Sequence, residues 1–210
     1  MDRGRLEAFS DGVMAVAITL LALNLAVAGP GPGHLSLLKQ LDHHWPAFLG
    51  YLISFLTVGI IWVNHHVLVM SITRVDRILL FANLMFLLFV VLIPFGTATA
   101  TDYLPGNSGS ARLAMVLYAG ICLGMSAGFG AIFECTLHGE RVSRPLPSDQ
   151  HWAARRRFVG GSLVYVVAIV VAVFSAIAAL ALIGVVAVYY IFERLPASAG
   201  DLAEADADTK

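Results

Sequence analysis

The sequence predicts an all-α integral membrane protein, with one domain of six transmembrane helices at residues 1–194 and a disordered acidic cytoplasmic tail at 195–210. Three observations predict it. Of the 210 residues, 59% are hydrophobic and 13% charged, about half the charged share of a soluble domain. The apolar residues gather into runs long enough to cross about 30 Å of hydrocarbon at 1.5 Å per residue. Six crossings also sort the basic residues: Arg3, Arg5, Arg74, Arg77, Arg141, Arg144, Arg155, Arg156, Arg157, Arg194 and Lys210 share one side, and Lys39 and Arg112 the other. Eleven against two places both termini in the cytoplasm.

The first helix is expected at about 5–28. Gly12 to Ala28 contains no charge, and Gly29-Pro30-Gly31-Pro32-Gly33 stops it, since proline lacks a donor and glycine lacks helix preference. Arg3 and Arg5 before an apolar run ending in Ala26-Val27-Ala28 also fit a signal peptide. The acids Glu7 and Asp11 at its entrance and the length of the run favour a retained helix. His34 to His44 is polar enough to lie outside the bilayer. The second helix, 46–71, carries Trp45 and Trp62 towards its ends, as interfacial aromatics tend to lie.

After the charged turn Arg74-Val75-Asp76-Arg77, the third helix spans 78–100, with Pro94 expected to kink or end it. The fourth, 111–137, has Gly120, Gly124 and Gly128 at a spacing that lets another helix approach. From Phe158 to Phe192 runs an almost charge-free stretch too long for one crossing, divided near 175–178 into helices 157–175 and 177–194.

The charge balance excludes several functions. A net charge of −1 with no basic groove gives no footprint for nucleic acid. Cys122 and Cys135 lie too far apart along one helix to bridge. No phosphate loop, serine elbow, zinc spacing or pair of catalytic carboxylates is present, so no enzyme and no bound cofactor is expected. His65, His66, Glu134 and His138 share the cytoplasmic boundary, but adjacent histidines point to different helix faces and cannot chelate one ion without distortion. Glu134 is expected to reach water or to pair with Arg141.

What remains is the first helix. On a 100° wheel Val16, Thr19, Leu20 and Leu23 fall within about 60° of one another, and Asp11 lies on nearly the opposite side. Taken alone, such a stripe serves helix packing or lipid contact. An acid inside a membrane helix costs on the order of 2.5 to 3.5 kcal/mol at mid-span and needs a partner. Trp62-Val63-Asn64-His65-His66 lies at a matching depth on the second helix. The expected arrangement is a network of Asp11, Ser10 and Arg5 with His65 or His66, locking the first helix to the second, or else a proton relay between acid and imidazole.

Arg5-x-x-x-Phe9-Ser10-Asp11 resembles the R-x-x-x-F-S-D signature of the transmembrane protein 175 family of potassium channels. Trp62-x-x-His65-His66, Asn83-Leu84 and Pro94-Phe95 are also similar to that family's pattern, so the likeness covers three successive helices and the first hundred residues. It implies a six-helix subunit without a re-entrant P-loop, a homotetramer in the bacterial plasma membrane, and a pore for potassium and other monovalent cations lined by the first helix. It also implies that Arg5, Phe9, Ser10, Asp11, Trp62, Asn64, His65 and His66 hold helices together near the cytoplasmic end. Permeating potassium would pass Val16, Leu20 and Leu23, at the family's constriction positions, and Thr19, at its hydroxyl position. Val16 stands where a bulkier Ile or Leu is common. No Thr-Val-Gly-Tyr-Gly filter exists, so selectivity for potassium over sodium should be modest. A proton-coupled secondary transporter using Asp11 and the histidines is the alternative, although inverted repeats and broken midplane helices are absent from the sequence. Because the wheel sets Arg5 and Phe9 near the stripe, the helix must bend below Gly12 or Arg5 must act across a subunit boundary.

Overall fold

The computed structural model describes residues 2–25, 27, 29, 31, 36–106, 108–137 and 148–192, without the side chains of Leu137, 148–154, 156–158 and Phe192. The tail expected at 195–210 and His138, Arg141, Arg144 and Arg194 lie outside these residues. The helices are α1 (Arg3–Leu21), α2 (Leu37–His43), α3 (Trp45–Met70), α4 (Arg77–Tyr103), α5 (Gly109–Leu137), α6 (Ser148–Phe174) and α7 (Ala176–Phe192). Among the described residues, four spans are long and apolar enough to cross a membrane: Arg3–Asn24, Trp45–Met70, Arg77–Tyr103 and Gly109–Thr136. α6 and α7 contain the shorter apolar stretches Val159–Phe174 and Ala176–Ile191. The chain is a multi-pass membrane protein.

Several boundaries differ from expectation. α1 tightens into a 3₁₀ turn at Ala22–Asn24 and does not continue to Ala28, since Asn24 is a weak helix former and Leu25 has left helical geometry. The segment before the second crossing folds into α2, joined to α3 through His44 alone. α6 begins at Ser148, well before the expected 157, and the break between α6 and α7 falls at Ser175, inside the expected interval.

Pro94 does not end α4. It is buried inside a helix that runs on to Tyr103, because neighbouring helices can support a turn that lacks one backbone bond. A hydroxyl chain crosses the bundle beside it. Thr97 Oγ1 donates to the Ile93 carbonyl at 2.8 Å, so it accepts from Ser54 Oγ at 2.7 Å, which in turn accepts from Tyr118 OH at 2.8 Å. Three helices, α3, α4 and α5, are thereby tied inside an apolar core.

α4 is the central helix, packed against α1, α3 and α5. Its contact with α5 is close because Gly128 faces the Phe86 backbone, where an added Cβ would lie 2.8 Å from Phe86 Cα, and Gly124 faces the Phe89 ring. Gly120, expected to join them, faces open space. The helix ends are pinned by polar contacts. Arg3 Nη1 donates to the Met70 carbonyl at 3.1 Å, joining the start of α1 to the end of α3. Glu134 pairs with Arg155 Nε at 2.9 Å, joining α5 to α6; the expected partner Arg141 lies outside the described residues. Cys122 and Cys135 are not joined by a disulfide, as their spacing required.

Candidate functional site

α1 buries Leu6, Ser10, Met14, Ala17 and Leu21, a 3.6-period stripe against α3 and α4. The opposite face is open. Val16 is 56% exposed, Leu20 40% and Leu23 71%, and Arg5, Phe9 and Thr19 are exposed beside them. Apolar side chains therefore cover the exposed face while a serine is wholly buried, the reverse of a soluble surface helix. Ala8, Phe9, Gly12, Val13 and Val16 form a cleft of about 520 Å³ with Val91 of α4. α1 is unbroken from Arg3 to Leu21, so Arg5 shares the open face, and it makes no hydrogen bond or ion pair with the polar network among the described residues.

That network lies towards the N-terminal end of α1 and has two parts. The first joins α1 to α3 through two rungs. Glu7 and Asp11 are four residues apart on α1, Trp62 and His66 four apart on α3, so each pair shares a helix face. With the helices antiparallel, the deeper members meet and the shallower members meet. Trp62 Nε1 donates to Asp11 Oδ1 at 2.9 Å, and His66 Nδ1 lies 3.2 Å from Glu7 Oε1. The acid expected to find a histidine has found the indole instead.

The second part centres on Asn83 of α4. Ser10 Oγ donates to the Leu6 carbonyl at 2.9 Å, leaving its lone pairs for Asn83 Nδ2, which donates at 3.0 Å. Asn83 Oδ1 is 2.9 Å from His65 Nε2, and the orientation of the amide makes Nε2 the protonated ring nitrogen. The His65 ring stacks on Phe86 with centroids 5.2 Å apart. His65 is next to His66 in sequence but turned by about 100°, so one faces α4 and the other α1. Of the expected network, His65 bonds Asn83 and Asp11 goes to Trp62, and neither Arg5 nor the half-buried Asn64 makes a side-chain hydrogen bond among the described residues.

Asn83 is the functional candidate that residue chemistry passed over, although it stood in one of the matched motifs. The available signal was an amide in an otherwise apolar helix, which must find partners inside the bundle. As for metal, Glu7, Asp11 and His66 each bring one ligand atom within 4.8 Å of the others. Asp11 accepts from Trp62, and Glu7 lies beside His66, whose Nδ1 completes no hydrogen bond among the described residues. Of the set weighed from sequence, His65 is turned to Asn83 and Glu134 to Arg155.

On the open face, Thr19 Oγ1 donates to the Val16 carbonyl at 2.8 Å. Its proton is thereby committed to the helix, and its exposed lone pairs can accept from water or meet a cation.

The sequence profile of the family described as Endosomal/lysosomal potassium channel TMEM175 matches residues 5–94. A potassium channel of Streptomyces collinus is 39% identical over 197 residues, 93% of this chain and 94% of that one. The crystal structure of a lysosomal potassium-selective channel TMEM175 homolog from Chamaesiphon minutus matches with a TM-score of 0.77 at 32% identity, over 90% of this chain and 96% of that chain. The endosomal/lysosomal proton channel TMEM175 of Gallus gallus is 34% identical over 110 residues, 49% of this chain and 22% of its own length.

Proposed function

The chain belongs to the TMEM175 family, whose members are ion channels and not enzymes, and on that premise we propose that it forms a passive, potassium-permeable cation channel. Four copies surround a pore lined by α1, each subunit crosses the bacterial plasma membrane six times, and both termini are cytoplasmic. The observation that carries this reading is the inversion of α1: its polar anchor is turned inward to α3 and α4, and its aliphatic stripe is left open. A fourfold arrangement of that face stacks rings of Val16, Leu20 and Leu23 about a turn apart. In a passage a few ångströms wide, methyl walls offer water no hydrogen bonds, so the pathway dewets and every ion meets a barrier. The Thr19 hydroxyl, its proton held by the Val16 carbonyl, presents an acceptor oxygen between the apolar rings and favours the more easily dehydrated cation. No carbonyl filter is needed, and discrimination is correspondingly modest. Arg5, exposed on the same face of an unbroken helix, acts across the subunit boundary.

Asp11 accepts from Trp62 and His65 bonds Asn83, while Asp11, Glu7 and His66 lie within 4.8 Å of one another, so a proton-coupled transporter using Asp11 and the histidines is the alternative reading. The test is potassium flux into liposomes holding purified protein, with and without a proton gradient. Flux that ignores the gradient is expected. Obligatory exchange of potassium for protons would overturn the channel reading.

A further inference from the structure

α2 has no role in permeation as described, and its surface is unusual. Seven residues make two turns, too short to be stable in isolation, so this helix depends on what packs against it. Within the subunit only Gln40 of its residues is buried. On the wheel Leu37, Leu41 and Leu38 gather on one side, and all three are exposed, Leu38 to 78%. Asp42, Lys39 and His43 occupy the other side and are also exposed. The helix is therefore amphipathic with its apolar face uncovered by its own chain.

Connectivity says what covers it. His44 alone separates α2 from α3, and its carbonyl accepts from Ala47 at 3.0 Å, so the chain passes from one helix into the next without a free linker. α3 opens on Trp45, 48% exposed, and continues with exposed Phe48, Leu49 and Leu52 on one face of a membrane-spanning helix. An exposed tryptophan at the end of such a face marks the level of the headgroups. The leucines of α2 are thus continuous with an apolar, bilayer-facing surface, while its charged side has water to turn to.

We propose that α2 is an interfacial anchor, lying on the membrane with Leu37, Leu38 and Leu41 inserted among the lipid chains at the headgroup boundary and Lys39, Asp42 and His43 in water. Because α3 packs against the end of α1 at Ala22–Asn24, the anchor holds the end of the open α1 face at a set depth in the bilayer.

The experiment uses the full chain in phosphatidylcholine–phosphatidylglycerol vesicles, in a Cys122→Ala, Cys135→Ala background. Nitroxide labels are placed one at a time through Leu38→Cys, Lys39→Cys, Leu41→Cys and Asp42→Cys, and collision rates with oxygen and with a water-soluble nickel chelate are measured. Positions 38 and 41 should favour oxygen and positions 39 and 42 the chelate. Chelate access at 38 and 41 would put the helix in water, and shielding of both positions from both reagents would put a second copy of the chain there. Either result overturns the proposal. Should the cysteine-free background fail to fold, Leu38→Trp and Lys39→Trp in the otherwise native chain give the same reading with acyl-brominated phosphatidylcholine. Added quenching is then expected at 38 and none at 39, and equal quenching at both sites would sink the idea. Neither readout depends on conduction, so the anchor and the channel reading can fail separately.

Discussion

The N-terminal and C-terminal halves of α1 are held by different forces. The N-terminal half engages its neighbours through Asp11 with Trp62, Glu7 with His66 and Ser10 with Asn83. Beyond Asp11 the helix buries Met14, Ala17 and Leu21, with Val13 and Ile18 partly buried beside them, and leaves Val16, Leu20 and Leu23 open. Hydrogen bonds are directional and specify both depth and rotation, whereas methyl packing tolerates small shifts. One half can therefore carry the precision of assembly and the other can be shaped for the passage of ions. Variants that weaken one half without the other test whether the division is real.

The largest effect should come from Asn83→Leu. It leaves the His65 N–H without its acceptor and Ser10 without its donor, at roughly 1 to 3 kcal/mol for each stranded buried group. Recovery of folded oligomer and its thermal midpoint should both fall sharply. An unchanged midpoint would mean that α4 holds α1 by packing alone.

Asp11→Ala should come next, because it strands one indole N–H at the edge of the bundle, at a cost of about 1 to 3 kcal/mol at most. Oligomer recovery on gel filtration should drop while the ion preference of the surviving channels stays the same. If the oligomer instead persists and only selectivity changes, the acid belongs in the pore and the two halves are not distinct.

On the C-terminal half the expected signature is reversed. Leu20→Ser and Leu23→Ser act at exposed positions and should leave the melting of the protein almost unchanged, yet potassium and sodium flux should rise together as the constriction wets. Thr19→Val keeps the shape and deletes the acceptor, so it should shift the potassium-to-sodium ratio more than it shifts assembly. Serine variants that assemble, conduct and discriminate like the parent would show that this stripe does not line the pathway.

Glu7→Gln should do least. The carboxylate faces a His66 side chain that is 44% exposed, and solvent-screened pairs of this kind contribute about 0 to 1 kcal/mol. A loss of assembly comparable to that of Asp11→Ala would make the two rungs equal partners.

Much of this was legible beforehand. Hydrophobic periodicity reports which face of a helix avoids water, so the stripe of Val16, Leu20 and Leu23 opposite Asp11 could be drawn from α1 alone, whereas the break near 175–178 followed from an apolar run too long for one crossing. The two rungs were also within reach, since Glu7 with Asp11 and Trp62 with His66 repeat the same interval of four. Composition marked His34 to His44 as polar but was silent on the two turns of helix there, because the register of so short a segment is settled by what it leans on.

The sequence by itself determined that the chain enters a membrane, where its longest helices run, and which side of α1 carries polar groups, because hydrocarbon permits few alternatives to a helix with its acids turned away from lipid. Only the tertiary structure decided who meets whom. His65 and His66 are neighbours in sequence with a turn of about 100° between them, so the rotation of α3 in the bundle sends one to Asn83 and the other to Glu7, and leaves Asp11 to Trp62. That rotation is set by long-range packing, such as Gly128 against the Phe86 backbone and the hydroxyl chain through Ser54. Periodicity within one helix holds no record of such contacts.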